Sequence, residues 1–173
     1  TFNGVALLSK LPFDEVTNGL LGDDGDVQAR FLETLVSTKN GVLRVVSLYL
    51  PNGNPAPGEK YDYKLKWMDR LADFSRERLK LEEPFVLAGD YNVIPTPSDA
   101  RRPEAWVKDA LFLPPTREKY RALLNLGLTD AIRAGSDASD LYTFWDYQAG
   151  AWAKNDGIRI DHLLLSPQAA DRL

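Results

Sequence analysis

The sequence predicts a mixed α/β fold, in which two sheets pack as a sandwich with helices on the outside. Two patterns support this prediction. Short apolar stretches typical of strands recur along the 173 residues, whereas from about residue 60 to 81 apolar side chains recur at helical spacing. Strands and helices also alternate without the strict rhythm of a doubly wound parallel sheet. A mixed sheet is therefore favoured over a parallel one.

Three strands are predicted in the first fifty residues. Val5–Leu8 forms the first strand, and apolar residues between Phe31 and Val36 mark the second. Asn40-Gly41 is the strongest short hairpin signal in the chain and joins the second strand to the third. The third strand covers Val42–Leu50, and its continuous apolar run predicts burial on both faces.

An amphipathic helix is predicted from about Lys60 to Leu81, followed by the helix breakers Glu82-Glu83-Pro84. Its apolar stripe, which we expect in the core, is Tyr63, Trp67, Leu71 and Phe74. Lys64 is predicted to lie on another face of this helix. Residues 98–115 are rich in charge and proline and are expected to cross the surface. Thr116 is the predicted N-cap of a second helix that Gly127 closes.

The stretch between the two helices carries the most informative polar residues. Phe85–Ala88 is predicted to form a short buried strand that ends at Gly89. Asp90 and Asn92 follow, and in extended backbone their spacing places both side chains on one face. A carboxylate beside a carboxamide suits an oxygen-ligated metal or a phosphate. The alternative is an Asx-type turn that merely closes the strand, since both residues are common in turns.

Two further strands are predicted near the end, at Tyr142–Tyr147 and Ile158–Leu165. Asp161 interrupts the second of them, and a carboxylate in an apolar strand is expected to have a hydrogen-bonding or charged partner. His162 is the one histidine of the chain, but strand alternation points it away from Asp161, so we interpret it as a packed or surface residue. Tyr49 ends the third strand, where its phenol is either part of the core or a phosphate contact.

Composition excludes several classes of site. The chain has no cysteine, so it has neither a thiolate metal site nor a disulfide framework. No apolar run approaches transmembrane length. Twenty-one Lys and Arg residues against 25 Asp and Glu residues leave a net charge of −4, so binding of a polyanion must rest on local basic patches. Arg101, Arg102 and Lys108 are candidates for such a patch, with a solvated loop as the alternative.

Five motifs in a fixed order resemble the exonuclease III family, a group of the endonuclease/exonuclease/phosphatase superfamily with deoxyribonuclease I-like folds. Gly-Asp-x-Asn alone is a weak signal, but the order of all five is specific. The motifs are Asn3-Gly-Val-Ala-Leu-Leu-Ser-Lys10, Leu48-Tyr-Leu-Pro-Asn-Gly53, Gly89-Asp-Tyr-Asn-Val-Ile-Pro95, Thr143-Phe-Trp-Asp-Tyr147 and Gly157-Ile-Arg-Ile-Asp-His-Leu-Leu-Leu-Ser166. The resemblance implies a four-layer αββα sandwich, formed by residues 1–173 as a single partial domain.

The resemblance also implies roles for individual residues. Tyr49 matches a tyrosine that contacts the scissile phosphate. Asp90 matches a general acid or base beside the metal, and Asn92 an asparagine that orients the attacked phosphate; both are assigned to the metal site. Asp161 matches an aspartate that orients a catalytic histidine. The residues assigned to substrate binding are Asn52 and Lys60 at phosphates, and Phe144, Trp145, Ile158 and Ile160 at the apolar pocket for an abasic deoxyribose. Some relatives carry a larger aromatic residue at the position of Ile158.

The activity implied by the resemblance is metal-dependent hydrolysis of DNA in base-excision repair, as a 3′–5′ exonuclease and an endonuclease at abasic sites. Mg²⁺ is the implied cofactor, with Mn²⁺ as the substitute, and the partner is duplex DNA with abasic sites or 3′ ends. A monomer in the bacterial cytoplasm, associated with the nucleoid and not with a membrane, is expected.

The family's metal-binding glutamate and its closing Ser-Asp-His segment have no counterpart in this sequence. Residues 1–173 are therefore expected to be incomplete at both ends and inactive alone. Two alternative functions remain at this stage. One is a related phosphoesterase acting on inositol phosphates or lipid headgroups, although inositol phosphatases usually carry Trp-Cys-Asp-Arg where this chain has Arg-Ile-Asp-His. The other is a non-catalytic binding module, which would not need Tyr49, Asp90, Asn92 and Asp161 together.

Overall fold

The computed structural model describes residues 3–173, which form a six-stranded sheet, a two-stranded sheet and four helices. The strands are β1 (Glu15–Asn18), β2 (Phe31–Thr38), β3 (Gly41–Tyr49), β4 (Phe85–Asp90), β5 (Thr129–Asp130), β6 (Phe144–Trp145), β7 (Gly157–Ile158) and β8 (Asp161–Leu165). The helices are α1 (Glu59–Leu79), α2 (Pro114–Asn125), α3 (Ala131–Gly135) and α4 (Pro167–Ala170). Two short 3₁₀ turns lie at Pro97–Asp99 and Pro103–Trp106. None of the helices within residues 3–173 is both long and apolar enough to cross a membrane.

The large sheet is mixed, with the strand order β1-β2-β3-β4-β8-β5. β3 and β4 are parallel and the other neighbours antiparallel. A parallel pair needs a crossover connection, and the segment that contains α1 supplies it. The predicted α/β class, with a mixed central sheet flanked by helices, is confirmed. The second sheet is small within the described residues, because it consists of β6 and β7 alone.

Helices α1 and α2 cover one face of the large sheet. Trp67 and Leu71 of α1 are 1% and 0% exposed, and Tyr120 and Leu123 of α2 are equally buried against the same core. Leu87 of β4 belongs to the same cluster and is 0% exposed. Burial of apolar area at about 25 cal/mol per Å² makes this face the main source of stability. The predicted aromatic stripe of α1 is therefore confirmed as core.

Burial of β3 on both faces is a prediction that the structure corrects. Val46 and Leu48 face the helices and are 0% and 2% exposed, whereas Val45, Ser47 and Tyr49 on the opposite face are only partly buried. The helices cover a single face, so an apolar sequence alone did not decide burial. On the face that α1 and α2 do not cover, the ends of β3 and β4 leave room for a site.

The first predicted strand is wrong. Val5–Leu8 adopts no regular structure, and the edge of the sheet is formed instead by β1, which pairs with β2. All four residues of β1 are exposed, so its stability comes from backbone pairing that leaves no apolar pattern in the sequence. The two strands predicted near the end are shorter than expected, and Arg159-Ile160 separates β7 from β8.

The segment 98–115 is also more buried than predicted. Leu111 and Phe112 pack with Ile94, Ile158 and Ile160 in a second apolar cluster. Thr116 is not an N-cap, because α2 begins at Pro114; its hydroxyl lies in the first turn and donates to the carbonyl of Ala110 at 2.7 Å. Gly127 follows the end of α2 in the left-handed conformation, as predicted.

Buried charges tie this segment to the sheet. Arg159 is 1% exposed, and its guanidinium donates to Asp99 Oδ1 at 2.7 Å and Asp130 Oδ2 at 2.8 Å. It also lies 3.0 Å from Nδ1 of His162, whose Nε2 is 2.9 Å from the carbonyl oxygen of Val93. His162 is therefore packed, the first of the two alternatives given for it, and does not lie on the surface. Its contacts join β8 to the chain segment that follows β4.

Acid should weaken the fold through His162. Burial, with the charge of Arg159 second, lowers the pKa of His162 to about 4, whereas the unfolded chain takes up that proton near pH 6.5. The contribution to stability is complete above pH 6.5 and is lost as the pH falls towards 4, by about 3 kcal/mol in total. Denaturant unfolding at pH 7 and pH 5 should show a smaller loss for His162→Gln than for the unaltered protein. Other groups, including Asp90, titrate in both proteins and cancel in this difference, so equal losses would contradict the prediction.

Candidate active site

Three of the predicted site residues form a row across three neighbouring strands. Tyr49 of β3 is the register partner of Asp90 in β4, and Asp90 is the partner of Asp161 in β8. All three are partly exposed and lie on the face that α1 and α2 leave uncovered. The sheet thus brings together side chains that are 41 and 71 positions apart in the sequence.

Gly89 lies inside β4 and does not end it. Its φ is 149°, and a Cβ atom there would come within 1.9 Å of the carbonyl oxygen of Leu48. Only glycine permits this close approach of β4 to β3. The strand therefore continues to Asp90, which sets the carboxylate beside Tyr49.

Asn92 meets Asp90 through a turn and not through extended backbone. Asn92 has a φ of 48°, and its backbone N–H donates to Asp90 Oδ1 at 2.7 Å. Its side-chain amide donates to the carbonyl of Leu50 at 2.8 Å and to Asp90 Oδ2 at 3.2 Å. The Asx-type turn considered from the sequence is thus present. The same turn holds the carboxamide of Asn92 against the carboxylate of Asp90. The geometry is therefore compatible both with a turn that only closes the strand and with a site for a metal or a phosphate.

A buried lysine, Lys64, binds the backbone of Asn92 and of a second asparagine, Asn52. Lys64 is 0% exposed, and its Nζ donates to the backbone carbonyl oxygens of Asn92 at 2.5 Å and Asn52 at 3.0 Å. Asn52 in turn donates its side-chain N–H to Asn92 Oδ1 at 3.1 Å. The sequence reading placed Lys64 on a polar face and missed this role. Its spacing of three from Tyr61 and Trp67, both buried, was the signal that placed it on the apolar face.

The protein environment shifts the pKa values of Asp90 and Lys64 towards neutrality. Burial raises the pKa of Asp90 to about 6, and the charge of Asp161 adds to the rise, although the hydrogen bond from Asn92 opposes it. Burial likewise lowers the pKa of Lys64 to about 7, while the charges of Asp109 and Asp90 oppose the change. A carboxylate with such a pKa is suited to proton transfer near neutrality.

Asp161 lacks the partner that was predicted for it. Among the residues that the structure describes, none donates a hydrogen bond to its carboxylate; its backbone N–H donates to Thr143 Oγ1 at 3.0 Å. The side chain is only half-buried, so water can hydrate the charge and the expected cost of an unpaired buried carboxylate does not arise. Its charge remains available to a ligand on the open face.

Asp90, Asp161 and Asn92 offer two carboxylates and a carboxamide to a cation. Within the described part of the chain no cluster of three or more acidic or histidine side chains could hold a metal. Mg²⁺ needs only one or two carboxylates, because it keeps several waters and binds substrate phosphate oxygens. Asp90 and Asp161 are also register partners on neighbouring strands, and the charge of Asp161 helps to raise the pKa of Asp90, so a bound cation would relieve this repulsion. The residues present therefore fit such an ion.

The predicted pocket residues are only partly brought together. Phe144 and Ile158 are register partners across β6 and β7 and line a cavity of about 210 Å³. Ile160 does not line it but packs in the second apolar cluster together with Ile158. Trp145 does not line this cavity; its ring centroid lies 4.7 Å from that of Trp152.

The predicted basic residues lie on the surface. Arg101, Arg102 and Lys108 are exposed, and Arg102 Nε donates to Asp156 Oδ2 at 2.9 Å. Lys60, at the start of α1, is exposed and lines a different groove together with Tyr49 and Asn52. Arg30 lines that groove as well and was missed from the sequence, where it is a single arginine before β2 without a recognisable pattern.

Comparison with known proteins identifies similar chains. A family model described as "Endonuclease/Exonuclease/phosphatase family" matches residues 1–172. Exodeoxyribonuclease III of Haemophilus influenzae is 30% identical over 98% of this chain and 66% of its own length. An AP endonuclease from Archaeoglobus fulgidus has a similar structure, with a TM-score of 0.84 and 29% identity over 93% of this chain and 61% of that one.

A second similar structure contains nucleic acid. It is a 3′ phosphatase from Neisseria bound to product DNA hairpin, with a TM-score of 0.86 and 32% identity over 94% of this chain and 62% of that one. The present chain thus spans about two thirds or less of the length of these relatives.

Proposed function

Because the chain belongs to the endonuclease/exonuclease/phosphatase family, we propose that its full-length protein hydrolyses DNA phosphodiesters, as a 3′–5′ exonuclease and as an endonuclease at abasic sites in base-excision repair. The observation that carries this proposal is the row of Tyr49, Asp90 and Asp161 on the open face of the sheet, with Asn92 bonded to Asp90. Phosphoryl transfer needs a proton acceptor, a charge-stabilising centre and a fixed phosphate, and this row offers a candidate for each.

Each residue has a distinct task in this proposal. Asp90 takes or returns a proton at the reacting water or leaving oxygen, helped by a pKa of about 6. Asn92, held by Leu50 and Asp90, orients the phosphate, and the phenol of Tyr49 contacts the same group. Lys64 positions Asn92 and Asn52 without reaching the open face, since its side chain is buried.

Asp90, Asp161 and Asn92 would hold Mg²⁺, with Mn²⁺ as the substitute. When bound, the ion supplies Lewis-acid stabilisation of the charge that develops on the phosphate. The chain's own contribution is the half-buried pair of carboxylates that attracts the cation and the turn that keeps Asn92 against Asp90.

Specificity for abasic sites is assigned to the cavity that Phe144 and Ile158 line. Its volume of about 210 Å³ suits a sugar without a base. Ile160 packs in the same apolar cluster as Ile158, and Trp145 is the register partner of Gly157, next to Ile158. Asn52 and Lys60 are assigned to phosphate contacts. The partner is duplex DNA with abasic sites or 3′ ends, bound by a monomer in the bacterial cytoplasm at the nucleoid.

The direct test uses the full-length protein with a duplex that carries one abasic site, and a second duplex with a recessed 3′ end. We expect incision at the abasic site and release of 3′ nucleotides in Mg²⁺, loss of both with a chelator, and recovery when Mg²⁺ is restored. Hydrolysis of inositol phosphates or lipid headgroups without DNA cleavage would replace the proposal by the related phosphoesterase. DNA binding with no hydrolysis of any of these substrates would favour the binding module.

A further inference from the structure

Thr143 lies directly before β6, and its hydroxyl binds two consecutive backbone amides at the start of β8. Thr143 Oγ1 accepts a hydrogen bond from the N–H of Ile160 at 3.1 Å and another from the N–H of Asp161 at 3.0 Å. Both acceptor lone pairs of the hydroxyl oxygen are thus used. On this side of β8 the strand β5 pairs only with Leu164 and Leu165. The side chain of Thr143 therefore takes the place that a carbonyl of a neighbouring strand would have.

The peptide group between Ile160 and Asp161 is held from both sides. Its N–H donates to Thr143, and its carbonyl oxygen accepts a hydrogen bond from the N–H of Tyr91 at 2.9 Å. A peptide group is planar, so bonds to its N–H and to its carbonyl fix its orientation. Asp161 follows this group and pairs in register with Asp90. No described residue donates a hydrogen bond to the carboxylate of Asp161, so its position depends on the backbone.

We infer that Thr143 is a positioning residue that acts through the backbone to keep the carboxylate of Asp161 beside Asp90. The inference rests on the proposed function, in which both carboxylates belong to the reacting site. The N–H of Thr143 also donates to the carbonyl of Ile158 at 2.9 Å, and Phe144 is the next residue in the chain. Ile158 and Phe144 line the cavity assigned to the abasic sugar. One hydroxyl thus fixes the spacing between that cavity and Asp161.

The test is Thr143→Val in the full-length protein, which keeps the branched shape of the side chain and removes the hydroxyl. We expect kcat to fall about ten- to a hundredfold, the range that a small displacement of a reacting group can cause. KM should not change, because no group of Thr143 is assigned to DNA. The fall should be similar on a duplex with an abasic site and on one with a recessed 3′ end, since Asp161 serves both reactions. Thr143→Ser keeps the hydroxyl and should keep most of the kcat.

Asp161→Asn shows whether Thr143 acts through Asp161. When this substitution is already present, Thr143→Val should cause no further fall in kcat, because the carboxylate that Thr143 positions is gone. Two losses that multiply would overturn the inference. So would a fall on the abasic duplex alone, which would assign Thr143 to the cavity and not to Asp161.

Thr38→Val is the matched control. Thr38 is exposed like Thr143, and its hydroxyl also makes two hydrogen bonds to the backbone, with Gly41 and Asn40 of the β2–β3 hairpin. Its kcat should equal that of the unaltered protein, and both valine variants should melt close to it, because water reaches both positions. If Thr143→Val melts early but keeps a normal kcat per folded molecule, the hydroxyl only stabilises the fold and the inference fails while the proposed function stands. If the unaltered protein incises no DNA, the proposed function fails and this inference fails with it.

Discussion

Asp90→Asn in the full-length protein should lower the rate of abasic-site incision by about a hundred- to ten-thousand-fold, the usual range for loss of a general acid or base. The substitution removes the ionisable oxygen but keeps the size of the side chain. It also keeps an acceptor for the backbone N–H of Asn92, which in the unaltered protein donates to Asp90 Oδ1 at 2.7 Å. The turn therefore survives, and the loss should lie in turnover. Single-turnover incision measures it directly.

Stability separates this role from a purely structural one. The raised pKa of Asp90 means that the folded protein holds this proton more tightly than the unfolded chain does. Ionisation therefore costs stability increasingly between about pH 4 and pH 6, and the whole cost is present above pH 6. Asp90→Asn removes that cost, so its melting temperature should hold or rise at pH 7 and show no gain below pH 4.

Two further variants complete the test. Asp62→Asn changes an exposed carboxylate on α1 in the same way and should alter neither rate nor melting temperature. Asn92→Ala should lower the rate with a smaller effect on substrate binding. An Asp90→Asn protein that melts early yet cuts at the normal rate would show that this stretch is only a turn.

Arg159→Met should lower the free energy of unfolding by about 3–5 kcal/mol, the usual cost of removing one partner from a buried ion pair. Methionine has a similar length but leaves Asp99 and Asp130 without their main cation. Their side chains are 0% and 7% exposed, so water cannot replace the lost contacts. Arg133 still donates to Asp99, which keeps the loss from being larger. Equilibrium unfolding in denaturant measures the change.

Arg102→Met is the matched control for this prediction. Arg102 pairs with Asp156 on the surface, where its side chain is 60% exposed, and such pairs contribute about 0–1 kcal/mol. Adding Asp99→Asn to Arg159→Met should recover part of the stability, because it removes one of the unpaired charges. Similar losses for Arg159→Met and Arg102→Met would show that the buried cluster does not stabilise the fold.

The sequence alone was sufficient for the family and for the elements with a strong local pattern. The order of five motifs predicted the membership that the family match confirms. The α1 helix, the β2–β3 hairpin and β4 each carry an apolar period or a turn signal that the structure bears out. The roles of Tyr49, Asp90, Asn92 and Asp161 remain predictions, although the structure brings all four together where the neighbouring strands β3, β4 and β8 end or begin.

Features that depend on distant parts of the chain needed the tertiary structure. The β1 strand has no apolar face, so only its pairing with β2 reveals it. Burial of β3 on one face follows from where α1 and α2 pack, and a run of apolar letters does not contain that information. Threonine is a common N-cap residue, but α2 begins at Pro114, two residues before Thr116. The hydroxyl of Thr116 therefore lies within the first turn of the helix.

The charged residues show the same division most clearly. From sequence, Asp161 needed a partner, Lys64 belonged to a polar face, and Arg30 and Arg159 had no assigned role. In the structure Asp161 is partly exposed and pairs in register with Asp90. Lys64 holds the carbonyls of two asparagines, and Arg159 joins two aspartates that are 31 positions apart in sequence. The sequence by itself determined which chemical groups the protein carries and which family they indicate. Tertiary structure alone decided which groups meet and how much water reaches them, because pairing energies and pKa values depend on distance and burial, which are not local properties of a sequence.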